Sequence, residues 1–211
     1  EFHRERARAR FGKGDRLRER GGSIVAHQLS FIPGPSQSFE HGRDPLDRYY
    51  TPDAVARACV AVLPELTGRV LEPHCGGGAF ARSVLAKPAA SLHTGDIDPE
   101  APGRELGSPA FLGSFLEHWE TYDWVIGNPP YATAEEHCRH ALRLAPRVAF
   151  LLRLAFLESQ RRISFWAEFP PHTVWVLSAR PSFTFDGQTD SAAYGWFYWE
   201  RGSTDSRLRW L

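Results

Sequence analysis

Short apolar runs alternate with helical stretches along residues 51–168, and no other feature of the chain limits its fold so strongly. Arg69-Val70-Leu71-Glu72, Ser91-Leu92-His93-Thr94-Gly95, Phe111-Leu112, Trp124-Val125-Ile126-Gly127 and Arg147 to Leu152 read as strands. Ala54 to Leu63, Ala79 to Ala86, Ala134 to Ala145 and residues 156–168 read as helices. The first helix carries its own punctuation: Thr51 to cap it, Pro52 at its first position, and Pro64 and Gly68 to end it. Strands that alternate with helices imply parallel strand–helix–strand units. Two more β-rich runs, Thr173 to Leu177 and Ala192 to Trp199, have no helix between them and predict an antiparallel hairpin. The expected fold is therefore α/β: a Rossmann-like, doubly wound, mostly parallel seven-stranded sheet with a C-terminal hairpin.

With 211 residues, 42% of them hydrophobic, the chain can bury one sizeable core. Residues 49–211 are expected to form it as a single domain. Residues 1–48 read as a basic, disordered tail and an irregular lead-in. Residues 1–22 hold eight basic groups against four acidic ones, although the whole chain is formally neutral. Such a tail could hold nucleic acid through phosphate contacts. The chain contains no methionine, so a truncated or alternative start is as good an expectation as a functional arm. No apolar run approaches the ~20 residues of a membrane span, which speaks against a membrane protein. Three widely spaced cysteines, Cys59, Cys75 and Cys138, form neither a disulfide framework nor a metal-ligand pairing. A reducing, cytoplasmic location is expected, with no metal.

Chemistry concentrates at strand ends. Asn128-Pro129-Pro130-Tyr131 follows the apolar run that ends at Gly127. An amide side chain and a backbone carbonyl can each accept a hydrogen bond from a planar amino group. Two prolines stiffen the turn and remove N–H donors. The Tyr131 ring can stack on a base taken out of its helix. A plain Pro-Pro turn after a strand is the competing reading. The Glu72-Pro73-His74-Cys75-Gly76-Gly77-Gly78 segment joins the first strand to the second helix, and its glycines let the backbone approach a ligand. No Lys-Ser/Thr follows, so it is not a phosphate-cradling loop. Asp96, some twenty residues on at the tip of the next strand, is suited to accept both hydroxyls of a ribose. His137, His140, Arg143 and Arg147 read as a solvated helix face.

In order, Tyr50-Thr51-Pro52, Glu72-Pro73 with its glycines, Asp96-Ile97-Asp98-Pro99, Ser114-Phe115-Leu116 and Asn128-Pro129-Pro130-Tyr131 resemble the class I S-adenosylmethionine-dependent methyltransferases. More narrowly, they resemble the gamma-type N6-adenine DNA methyltransferases and their short phage and prophage relatives. The likeness runs from about Tyr49 to Trp199. It implies S-adenosyl-L-methionine as cofactor and adenine in DNA as target. By it, Thr51 and Pro52 border the methionine end of the cofactor, and Glu72, Pro73, Gly76 and Gly78 cradle that end. Asp96 holds the ribose, Ile97 packs on the adenine ring, Ser114 can hydrogen-bond to that adenine, and Phe115 beside it belongs to the cofactor-binding set. Asn128 and the Pro129 carbonyl grip the target amino group, Pro130 stiffens the turn, and Tyr131 stacks on the base. Phe183 or Phe185 closes the opposite face, unless these rings belong to the hairpin core. Ser114 stands where many relatives carry Asp. No separate target-recognition domain is expected within the chain, so recognition falls to loops or a separate specificity partner. The same tetrapeptide serves enzymes acting on protein glutamine or RNA bases, and a degenerate, non-catalytic fold is a further alternative.

Overall fold

The expected alternation builds one sheet in the computed structural model, which describes residues 50–183 and 191–211. The basic tail, the lead-in and Phe185 lie outside the described residues. In chain order the elements are α1 (Asp53–Ala61), β1 (Gly68–Glu72), α2 (Ala79–Leu85), β2 (Ala90–Asp96), β3 (Ser108–Leu112), β4 (Trp124–Gly127), α3 (Ala134–Leu144), β5 (Arg147–Arg153), α4 (Ile163–Glu168), β6 (Thr173–Val176), β7 (Tyr194–Glu200) and β8 (Arg207–Trp210). Their lateral order in the sheet is β3-β2-β1-β4-β5-β7-β6-β8. β7 runs antiparallel to both neighbours and every other pairing is parallel.

Helices cover both faces, which is why the central strands need no polar alternation. All four residues of β4 are buried. Val70, Ile126, Ala149 and Leu151 face a core shared with α1, α2 and the ring of Trp196. Leu71, Val125, Val148 and Phe150 face the other core, filled by Cys138, Ala141 and Leu144 of α3 and Phe165 of α4. Successive residues of one strand thus feed opposite layers, as the period of two requires. Among the described residues no helix is long and apolar enough to cross a membrane.

Three expectations need correction. The sheet has eight strands, not seven: the short Arg207–Trp210 segment adds to the edge, parallel to β6. Thr51 does not cap α1; Pro52 occupies the cap position without a side-chain bond, and the Thr51 hydroxyl accepts from Asn128 instead. Residues 156–168 are not one helix, because the Ser159 hydroxyl takes the Arg161 N–H and turns the chain before α4 begins. The hairpin is present, with β6 and β7 antiparallel over Thr173–Val176.

From β1 the chain winds outward through β2 to β3, then returns to place β4 on the other side of β1. The carboxyl ends of β1 and β4 therefore part at a topological switch point, where open α/β sheets bind their ligands.

Candidate active site

A cleft of about 240 Å³ opens at that switch point, with walls from the ends of β1, β2 and β4 and from the start of α3. It is smaller than the ~300 Å³ lower bound for drug-sized ligands, which suits part of an extended ligand. A second cavity of about 30 Å³ shares Tyr50, His74, Gly76 and Asn128 with it and reaches Thr51 and Glu72.

Asp96 ties the glycine turn to β2. One carboxylate oxygen accepts the Gly76 N–H at 2.8 Å, the other the Asp98 N–H at 2.9 Å. Asp98 accepts the Glu100 N–H and so behaves as a turn residue. Gly76 has φ +41°, and a Cβ there would meet the Tyr50 ring at 3.2 Å. Gly78 has φ +82°, and its Cβ would meet Leu106 at 2.5 Å. Conformation and close approach both require glycine at these two positions. Glu72 is buried, and its Oε2 has no hydrogen-bond partner. Desolvation holds its carboxyl well above the ordinary carboxylate range, the Ala81 N–H works against this, and the nearby Asp96 adds to it.

At the end of β4 the Asn128 amide nitrogen donates to the Thr51 hydroxyl at 3.2 Å. That bond fixes the amide's orientation and leaves Oδ1 as its acceptor. Tyr131 opens a 3₁₀ turn, Tyr131–Thr133, just after Pro130. Its ring is tilted against Tyr194 at 5.6 Å, and the Arg153 guanidinium lies 4.9 Å from its centroid. Pro73, Ile97, Ser114, Phe115, Pro129 and Pro130 all line the larger cleft. The Ser114 hydroxyl accepts the Leu116 N–H at 3.3 Å. Pro52 lines neither cavity and serves to start α1. Phe183 lines neither cavity either. It is buried edge-on against Tyr194 at 5.0 Å, so hairpin core is the better description of it.

The histidines of α3 overturn the solvated-face reading: His137 and His140 are buried. His137 lines the cleft and stacks on His74 at 4.8 Å with an interplanar angle of 5°. Phe115 meets both rings edge-on, at 5.3 and 5.8 Å. His140 Nε2 lies 2.7 Å from the His118 carbonyl oxygen. The sequence held a signal for this: Ala134, His137, Cys138, Ala141 and Leu144 share one helical face at spacings of three and four. Burial lowers His137 from 6.5 to about 4, with repulsion from His140 adding to it. Between those two values the unfolded chain binds a proton that the native protein refuses. Stability should be complete above about pH 6.5 and fall as pH drops toward 4, by roughly 3 kcal/mol from this residue. Urea unfolding across that window checks it: a flat profile contradicts the burial, and His137→Asn should lessen the slope, with His74 keeping the remainder.

No protein-family model matches the chain. The structure superposes on a candidate RNA methyltransferase of Pyrococcus horikoshii with a TM-score of 0.65 at 16% identity, covering 79% of this chain and 93% of that one. A candidate class I S-adenosylmethionine-dependent methyltransferase of Listeria monocytogenes gives 0.61 at 14% identity, covering 81% and 68%. The fold is that of the class I methyltransferases. Its mostly parallel sheet, with an antiparallel strand toward the C-terminus, is the architecture read from the sequence, and β8 is an addition at the edge. By sequence, the Type II methyltransferase M.TthHB8I of Thermus thermophilus is 28% identical over 137 residues. The match covers 63% of this chain and 32% of that protein, so the chain spans about a third of that relative's length.

Proposed function

We propose that residues 49–211 act as an S-adenosylmethionine-dependent methyltransferase unit whose acceptor is the N6 amino group of adenine in DNA, flipped out of its helix. The observation that carries this reading is the placement of Asn128-Pro129-Pro130-Tyr131 at the switch-point cleft, beside the glycine turn and Asp96. The match to a Type II methyltransferase supports a nucleic-acid acceptor.

The residues present fit the cofactor. The buried, unpartnered Glu72 oxygen awaits a positive group, and Gly76, Gly77 and Gly78 line the small cavity that reaches it. Asp96 retains lone pairs for ribose hydroxyls beyond its two backbone bonds. Ile97, 59% exposed at the cleft, offers an apolar face to a purine. When bound, S-adenosylmethionine supplies a methyl group made electrophilic by its sulfonium.

The chain's own work is to position the acceptor. An aromatic amine is a poor nucleophile because its lone pair is delocalised into the ring. Hydrogen bonds from N6 to Asn128 Oδ1 and the Pro129 carbonyl favour a pyramidal nitrogen and aim its lone pair. Positioning of this kind supplies up to roughly 7–11 kcal/mol. Stacking on Tyr131, worth ~1–3 kcal/mol, offsets part of the few kcal/mol of base flipping. The product nitrogen loses its proton to water, so no histidine base is needed. Target choice falls to loops or to a separate specificity partner.

Glu72 gives a test of cofactor binding. It is protonated in the free protein through a window above the ordinary carboxylate range, and a bound cation favours its ionised form. Affinity should therefore rise with pH through that window, with release of up to one proton per site. Calorimetry in two buffers of different ionisation enthalpy reads this directly, and Glu72→Gln should abolish the release. The acceptor is tested by labelled methyl transfer to DNA, RNA and protein in parallel. Label in glutamine or RNA alone would replace the DNA reading.

A further inference from the structure

The stacked histidines in the cleft are not used by the reaction proposed above. His137 is 8% exposed, and His74 lies ring on ring against it. His74 Nδ1, His74 Nε2 and His137 Nδ1 are all buried without a hydrogen-bond partner. A single buried polar atom left unpaired costs about 1–3 kcal/mol, so three together in a cleft wall point to a ligand that completes them.

The surroundings define that ligand. Phe115 and Phe150 meet the His74 ring edge-on, and among the described residues no carboxylate shifts the charge of either imidazole. Among the described residues His140 is the titratable group that acts on His137, and its Nε2 holds the His118 carbonyl oxygen. Both rings are neutral because burial and their neighbours disfavour the charge. Each therefore offers one N–H and one lone pair. A charged group is badly served here, whereas an uncharged planar heterocycle with mixed donors and acceptors is well served. The Ser114 hydroxyl accepts the Leu116 N–H and keeps its own O–H, so the histidines add acceptors and donors to this wall beside it. Asp96, Ile97, Ser114 and Phe115 line the same cleft as the two histidines, with Phe115 edge-on to both rings. A nucleoside whose ribose is held at Asp96 directs its base toward that wall.

We propose that the His74–His137 pair is the hydrogen-bonding subsite for the purine edge of the cofactor, and that His137 is the acceptor of its 6-amino group. The proposal rests on the methyltransferase reading and adds a specificity-determining residue to it.

Titration calorimetry on the full chain tests this without turnover, using S-adenosylhomocysteine and its 6-deamino analogue. Wild type should bind the amino compound about tenfold more tightly, the equivalent of 1.4 kcal/mol. His137→Leu should weaken S-adenosylhomocysteine by a similar factor and bind both compounds equally. His137→Asn, which keeps an acceptor near the Nδ1 position, should restore the preference. Should His137→Leu fail to fold, the wild-type and His137→Asn preferences decide alone, and no preference in wild type overturns the proposal. Unchanged affinity and preference in a folded His137→Leu also overturn it while the methyltransferase reading stands. Failure of wild type to bind either compound sinks that reading, and the subsite with it.

Discussion

Asn128→Ala is expected to lower the rate of methyl transfer on the order of 10²–10³-fold while leaving cofactor affinity nearly unchanged. The substitution removes one of the two acceptors proposed to hold the amino group. The groups proposed to hold the cofactor, Glu72 and Asp96, are anchored elsewhere, to α2 and the glycine turn. The loss should appear in the single-turnover rate at saturating cofactor. Thr51→Val should give a smaller loss of the same kind, because the Thr51 hydroxyl only orients the amide. A rate within a few-fold of wild type in Asn128→Ala would show that the amide does not clamp the acceptor.

Trp196→Ala should cost about 3–5 kcal/mol of stability, a large part of the ~5–15 kcal/mol typical of a folded domain. Trp196 is fully buried on β7, which holds β5 on one side and β6 on the other. Its ring stacks on Phe80 of α2 at 5.1 Å and 9°, so truncation leaves a cavity between sheet and helix. Trp210→Ala, on a residue 70% exposed at the sheet edge, should change stability by no more than ~0.5 kcal/mol. Equilibrium urea unfolding compares the two, and equal effects would place Trp196 outside the core.

The sheet was legible in the sequence because its inner strands are buried on both faces and so appear as unbroken apolar runs. Trp124–Gly127 and Arg147–Arg153 are the clearest cases. The turns that carry chemistry were legible for a related reason: Pro-Pro and Gly-Gly-Gly have strong backbone consequences wherever they occur. β8 escaped notice because its four residues are all exposed and two are arginines, so no burial pattern announces it. Thr51 was assigned a local cap because sequence proximity favours that reading, whereas its hydroxyl bonds to a residue 77 positions away. His137 and His140 were misplaced because histidine is polar in composition yet packs as an aromatic ring here, against Phe115 and Trp119. Phe183 fits a base-closing ring and a core ring equally well in sequence. Its burial, its absence from the cleft lining and its contact with Tyr194 separate the two.

The central claim is that this cleft transfers a methyl group to an amino nitrogen gripped by Asn128. Its most direct test is mass spectrometry of nucleosides from DNA incubated with the full chain and isotopically labelled S-adenosylmethionine. Labelled N6-methyladenine with wild type, and on the order of 10²–10³-fold less of it in the same time with Asn128→Ala, is the predicted result. Unlabelled DNA from a wild-type protein that binds the cofactor, or label within a few-fold of wild type in Asn128→Ala, would contradict it.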